Sequence, residues 1–208
     1  LLEQIIELLN ANLVRVENLT SRYGPPRPGR KALNDTDMLR AALVLLHASM
    51  EEFLRSLLIW RAPSSAKEVI DTFPLAGTGK KHPANFQLGS LVAHRGKTVE
   101  ELIRQSATEY LEAYSSFNDV GDVVKAIRTC GVPQQTVEAH DFRGLAAMIE
   151  RRHNIVHKAD RNNVQQGQGN HRTKSIDIGH LNNYVAAVKS LRDFVNAQLA
   201  NAGQGAAN

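Results

Sequence analysis

Several features that mark large protein classes are scarce or missing here. One cysteine, Cys130, stands among 208 residues, which excludes an internal disulfide framework and any multi-cysteine zinc site. The longest unbroken apolar run, Ala41 to Leu46, is far too short to span a bilayer. No charged stretch followed by an apolar one opens the chain, so secretion is not expected and a cytoplasmic protein is. The chain starts at Leu1 rather than Met, and that expectation covers only this stretch. Aromatic residues number 11, one Trp, four Tyr and six Phe. At this length one domain with a small appendage is expected, long enough to bury a core without staples.

The charge is modest in total and uneven in place. The formal net charge is +4. Between Arg151 and Lys174 lie six basic residues (Arg151, Arg152, Lys158, Arg161, Arg172, Lys174) against one acid, Asp160, a net +5 that leaves the rest of the chain near −1. The same stretch holds His153, His157 and His171. A local basic cluster attracts polyanions whatever the overall charge; the plainer alternative is a solvated loop.

Apolar spacing is helical nearly throughout. Leu2, Ile5, Ile6, Leu9, Leu13, Val16 and Leu19 predict an amphipathic helix over 2–20. A rigid connector, Tyr23 to Gly29, follows. Asp35-Thr36-Asp37 offers N-caps for a helix to Arg61, whose face of Leu39, Leu43, Leu46, Met50, Phe53, Leu54, Leu57 and Leu58 makes it the spine of the core. Ser64 or Ser65 is expected to cap a short helix through Phe73, and one more short helix is expected around 85–93. Thr98 with Glu101 fits a capping box ahead of a helix to Tyr114. Asn118 or Asp119 caps another that ends at Gly131. A long helix over 137–158 and a last one over 177–199 complete the pattern, with polar residues 160–175 between them. No strand alternation and no internal repeat is visible. The expected class is all-α, its helices antiparallel across the longer connections, divided as an N-terminal helix and Pro-rich linker (1–36), a helical domain (37–200) and a frayed tail (201–208).

Three tempting motifs carry little. Gly77-Thr78-Gly79-Lys80-Lys81 lacks the first glycine at phosphate-loop spacing, the Ser/Thr after Lys, and a preceding strand. Cys130 sits at an apolar helix end with no activating neighbour in sequence, as an inert packing thiol would. Glu51 and Arg55 are four apart and fit a surface pair, whereas Glu52 adjoins the apolar arc and needs a partner if buried.

The informative stretch is Glu150-Arg151-Arg152-His153-Asn154-Ile155-Val156-His157-Lys158. His153 and His157 share a helix face at the spacing of two metal ligands, but Asn154 stands where a zinc protease carries its base and no third ligand is evident, so no metal is expected. Arg152 and His157 lie about 140° apart around a straight helix. A joint site would need a long Arg reaching around, a helix that loosens near His157, or a second copy of the helix alongside. Arg152 paired with Glu150 and His157 capping the helix end is the purely structural alternative.

Arg152-His153-Asn154-Ile155-Val156-His157 resembles the R-(N/D/H)-x-x-x-H signature of the HEPN superfamily. The surroundings are similar to its RiboL-PSP-HEPN subgroup: the early helix from Ala41 to Arg55, the stretch from Asn118 to Gly131, and the polar loop and final helix, together covering about residues 37–200. The resemblance implies a HEPN-like bundle acting as a homodimeric, metal-independent endoribonuclease without a cofactor, often a toxin held by an antitoxin or an antiviral effector. It assigns catalysis to Arg152 and His157, with His153 assisting. RNA contacts fall to Arg151, Lys158, Arg161, Arg172 and Lys174, and supporting roles to Asn154 and Glu52. Many members have lost catalysis and serve as binding or scaffold modules. Cleavage of this kind uses the 2′-hydroxyl of RNA itself, leaving a 2′,3′-cyclic phosphate and a 5′-hydroxyl. The protein supplies proton transfer by histidine and charge stabilisation by arginine. Few aromatics lie near the motif, so base selection by stacking is expected to be minor.

Overall fold

The computed structural model of the chain describes residues 1–23, 33–78, 88–161 and 173–202. Eight α-helices stand among them: α1 (Leu2–Ser21), α2 (Leu33–Arg61), α3 (Lys67–Ile70), α4 (Val99–Tyr114), α5 (Val120–Thr129), α6 (Gln134–Glu138), α7 (Arg143–Lys158) and α8 (Ile178–Ala202). Short 3-10 segments occupy Ala62–Ser64 and Leu88–His94. Extended pairing among the described residues is limited to a single bridge between Arg161 and Thr173. The protein is all-α. No helix among the described residues is long and apolar enough to cross a membrane.

The 29-residue α2 is the spine. Its apolar stripe, Leu39, Leu43, Leu46, Met50, Phe53, Leu54 and Leu57, is buried, and the helix touches α1, α4, α5, α7 and α8. Burial of this kind is worth about 1.5–3 kcal/mol per large aliphatic side chain. From α8, Leu181, Val188, Leu191, Val195 and Leu199 enter the same core, and from α1, Leu9, Leu13 and Val16. The N-terminal helix therefore contributes to the core of residues 37–200.

Local chemistry sets several helix ends. Thr98 accepts from the Glu101 N–H while Glu101 accepts from the Thr98 N–H, the expected capping box. Asp119 caps α5 by accepting from Asp122 N–H at 2.9 Å, and Asp177 Oδ1 accepts from His180 N–H at 2.9 Å at the start of α8.

Elsewhere the structure corrects the pattern. α2 begins at Leu33, upstream of Asp35-Thr36-Asp37; Thr36 and Asp37 instead accept hydrogen bonds from Arg40. Neither Ser64 nor Ser65 caps α3, whose N-cap is Ala66 with no side-chain bond. The single helix expected over 137–158 is two. Asp141 accepts from the Arg143 N–H at 2.9 Å, and the His140 ring lies against Phe142 and Phe194, at 4.8 and 4.4 Å between centroids. These contacts hold a turn between α6 and α7. The connector at 24–32, the segments 79–87 and 162–172, and the tail from 203 onward lie outside the described residues, and with them Lys80, Lys81, His171 and Arg172.

Candidate active site

α7 carries the histidine–arginine stretch. It remains α-helical through Lys158, so loosening near His157 is not how Arg152 and His157 come together. The helix stops at two consecutive left-handed residues, Ala159 (φ 47) and Asp160 (φ 54). Neither is glycine, and each such residue costs about 1–3 kcal/mol. Interactions of Asp160 oppose that cost. Its N–H donates to the carbonyl of Asn154 at 2.9 Å, six residues back. Its side chain, 1% exposed, receives Arg40 Nε at 2.8 Å and an Arg151 terminal nitrogen at 2.7 Å. Arg40 and Arg151 also reach the carbonyl of Lys174, and Arg151 that of Ser175. The single acid of the basic stretch is thus clamped between two guanidiniums.

This corrects the expected role of Arg151. Its side chain is 13% exposed and committed to Asp160, so it is not presented to RNA. Lys158, Arg161 and Lys174 are exposed. Lys174 N–H donates to the Asp160 carbonyl, so its side chain emerges beside the clamp.

One turn earlier the helix presents a different surface. The rings of His153 and His157, both exposed, lie 4.7 Å apart between centroids at an interplanar angle of 45°. A groove of about 370 Å³ runs between α7 and the start of α5, lined by Asn118, Asp119, Val120, Ala146, Ile149, Glu150, His153, Asn154 and Lys158. Arg152 approaches the same rim: one terminal nitrogen donates to Asn118 Oδ1 at 3.5 Å. Its Nε is buried without an acceptor. Arg152 pairs with neither Glu150 nor His157. The groove is lined by His153, Asn154 and Lys158, whereas Arg152 and His157 lie outside the lining, Arg152 bonded to Asn118 and the His157 ring tilted against that of His153. Among the described residues no group of three or more His, Cys, Asp or Glu side chains gathers as a metal would need.

Behind Arg152, α2 supplies residues that do not stand out in the sequence. His47 is 1% exposed, with Nε2 3.2 Å from the Phe117 carbonyl. Glu51 accepts the Phe117 N–H at 3.2 Å and lies 3.7 Å from His47 Nδ1. Burial pushes the His47 imidazole below the usual histidine range; Glu51 opposes this, the Arg152 charge adds to it, and the Phe117 carbonyl opposes it. Glu52, the expected supporting residue, turns away: it is 46% exposed and accepts from Arg55 at 2.5 Å and Ser56 at 3.3 Å. The two glutamates exchange the roles that helix spacing predicts. Glu51, not Glu52, is the inward one, because it follows His47 by one turn on the buried stripe. Two polar residues four apart within that stripe were the available signal. Asn118 was visible only as a helix cap.

Cys130 is buried, and burial pushes its thiol up to about 12, as fits an inert packing residue. No family model, no curated protein and no solved structure matches the chain.

Proposed function

We propose that the protein is a metal-independent endoribonuclease of HEPN type, cleaving RNA through its own 2′-hydroxyl to 2′,3′-cyclic phosphate and 5′-hydroxyl ends. The observation that carries this reading is the grouping at the end of α7: two exposed imidazoles in ring contact, close to a guanidinium whose terminal nitrogen reaches Asn118 on the lining of one groove. Imidazole exchanges protons near neutrality, so a histidine pair can take the 2′-hydroxyl proton and return one to the 5′-oxygen leaving group. Arg152 remains charged and can fork onto the non-bridging oxygens as negative charge builds on phosphorus. Lys158 on the groove lining and the exposed Arg161 and Lys174 hold the RNA backbone with salt-sensitive affinity.

Arg152 and His157 depart from different sides of α7, so the cleft is completed by a second copy about a two-fold axis, giving two of each residue around one phosphodiester. Such an enzyme fits the chemistry of a toxin restrained by an antitoxin, or of an antiviral effector acting in the cytoplasm. The test is cleavage of single-stranded RNA in EDTA by the purified protein and by His157→Ala and Arg152→Ala. Both variants are expected to lose on the order of 100- to 10,000-fold in rate, a matched DNA should survive, and wild-type/His157→Ala mixtures should be impaired. Equal cleavage by all three proteins would point to a contaminant and end this reading.

A second reading is favoured by one observation: Arg152 is half-buried and leans on Asn118 rather than facing His157. A HEPN-like module that binds RNA or a protein partner without cutting would retain RNA affinity and yield no cyclic phosphate.

A further inference from the structure

His47 is a deeply buried titratable group close to this site, 1% exposed, and the chemistry above makes no use of it. It lies on α2 in a stripe otherwise given to Leu43, Met50 and Leu54. Its Nε2 is within hydrogen-bond reach of only one group, the Phe117 carbonyl, so Nε2 carries the hydrogen and donates. Nδ1 is left as a bare lone pair without a hydrogen-bond partner. Glu51 accepts from the N–H of the same residue, Phe117. Two side chains one turn apart on α2 thus grip both main-chain polar groups of one residue. The next residue, Asn118, receives Arg152 and is itself tied to Asp122 through its N–H at 3.2 Å.

We propose that His47 is a positioning residue for Arg152: with Glu51 it fixes the Phe117–Asn118 turn, and that turn sets where the Arg152 guanidinium stands at the groove. The groups facing its ring are Glu51 from α2, Arg152 from α7 and the Phe117 main chain ahead of α5. A proton arriving at Nδ1 converts the lone pair into a donor aimed at Glu51. Closing the 3.7 Å gap to Glu51 Oε2 pulls the carboxylate whose other oxygen, Oε1, holds the Phe117 N–H, and a second positive charge stands against Arg152. The turn loosens and Arg152 leaves its seat. The catalytic consequence rests on the nuclease reading; the positioning itself does not.

The experiment follows the full chain by NMR from pH 7.5 to 4.5, recording the His47 ring signals and the Arg152 Nε–H resonance, in wild type, His47→Gln and Glu51→Gln. In wild type the Arg152 resonance is expected to show a transition that coincides with the His47 titration, and in His47→Gln to lose that transition. Glu51→Gln keeps an acceptor for Phe117 but removes the charge that favours the imidazolium, so both wild-type transitions move to lower pH. On single-stranded RNA in EDTA, His47→Gln is expected to lose roughly 10- to 100-fold in kcat, with KM within about twofold and one protonation fewer on the acid limb. An Arg152 resonance indifferent to His47 protonation overturns the proposal, as does a His47→Gln enzyme with wild-type kcat and pH profile. If His47→Gln does not fold, the wild-type and Glu51→Gln titrations decide. If wild type cuts no RNA, the nuclease reading falls and the resonances still judge the positioning.

Discussion

Arg151 and Arg152 are neighbours on one helix, yet their surroundings differ in every respect. About 100° of helix rotation separates them, enough to send one guanidinium toward Asp160 and the other toward Asn118. Arg151 meets a buried carboxylate at 2.7 Å and two main-chain carbonyls. Arg152 meets a neutral amide at 3.5 Å and keeps a buried Nε without an acceptor. A cation of the first kind, tied to a buried carboxylate and to main-chain carbonyls, holds elements together. One held only by a long bond to a neutral amide is free to turn toward a ligand anion, and doing so would relieve its unpaired Nε. Net charge counted along a sequence cannot separate the two cases, because it does not say which charges are already spent.

The sharpest way to break the contrast is at the Arg151 end. Asp160→Ala leaves Arg40 and Arg151 facing each other without their shared carboxylate, and the expected loss is about 3–5 kcal/mol of stability, read from denaturant midpoints at unchanged slope. A loss well under 1 kcal/mol would show that the clamp does not hold the end of α7. Truncating the arginines separately sharpens the comparison. Arg151→Ala should cost about 2–3 kcal/mol and leave RNA affinity nearly unchanged once the protein is folded. Arg152→Ala should cost less than about 1 kcal/mol while abolishing cleavage. Stability and activity profiles that coincide for the two variants would erase the distinction.

The smallest effect is in pH. Burial lowers the pKa of both His47 and His140 in the folded protein. The unfolded chain then binds protons more readily than the folded one around the ordinary histidine value. That contribution to stability is complete above the ordinary value and declines as pH falls through it toward the lowered ones. Thermal midpoints should therefore drop between pH 7.5 and 5, and His47→Gln should flatten part of the drop.

What could be seen in the sequence follows from which forces are local. α1, α4 and α8 were legible because their apolar periodicity runs uninterrupted, and because Thr98 and Glu101 act within one turn. The division of α6 from α7 was not, since it depends on His140 finding Phe194 from a distant helix. The start of α2 was misjudged for a related reason: Thr36 and Asp37 look like caps, but Arg40 claims them while it reaches for Asp160, far along the chain. Of the candidate site, α7 supplied Arg152, His153, Asn154, His157 and Lys158 to sequence inspection, all on one element. His47 carries no signal of its own, and Glu51 and Asn118 read only as a surface-pair member and a helix cap, because their relation to Arg152 exists only after α2, α5 and α7 pack.

One further consequence lies in how the chain leaves α7 and returns to α8. Arg161 bridges Thr173, and Lys174 bonds back to Asp160, so the residue that leaves the end of α7 and the one that leads into α8 are held side by side by the same buried carboxylate residue that Arg40 and Arg151 grip. The junction between the two helices is therefore set by Asp160 itself, and loss of that one side chain would free both helix ends at once.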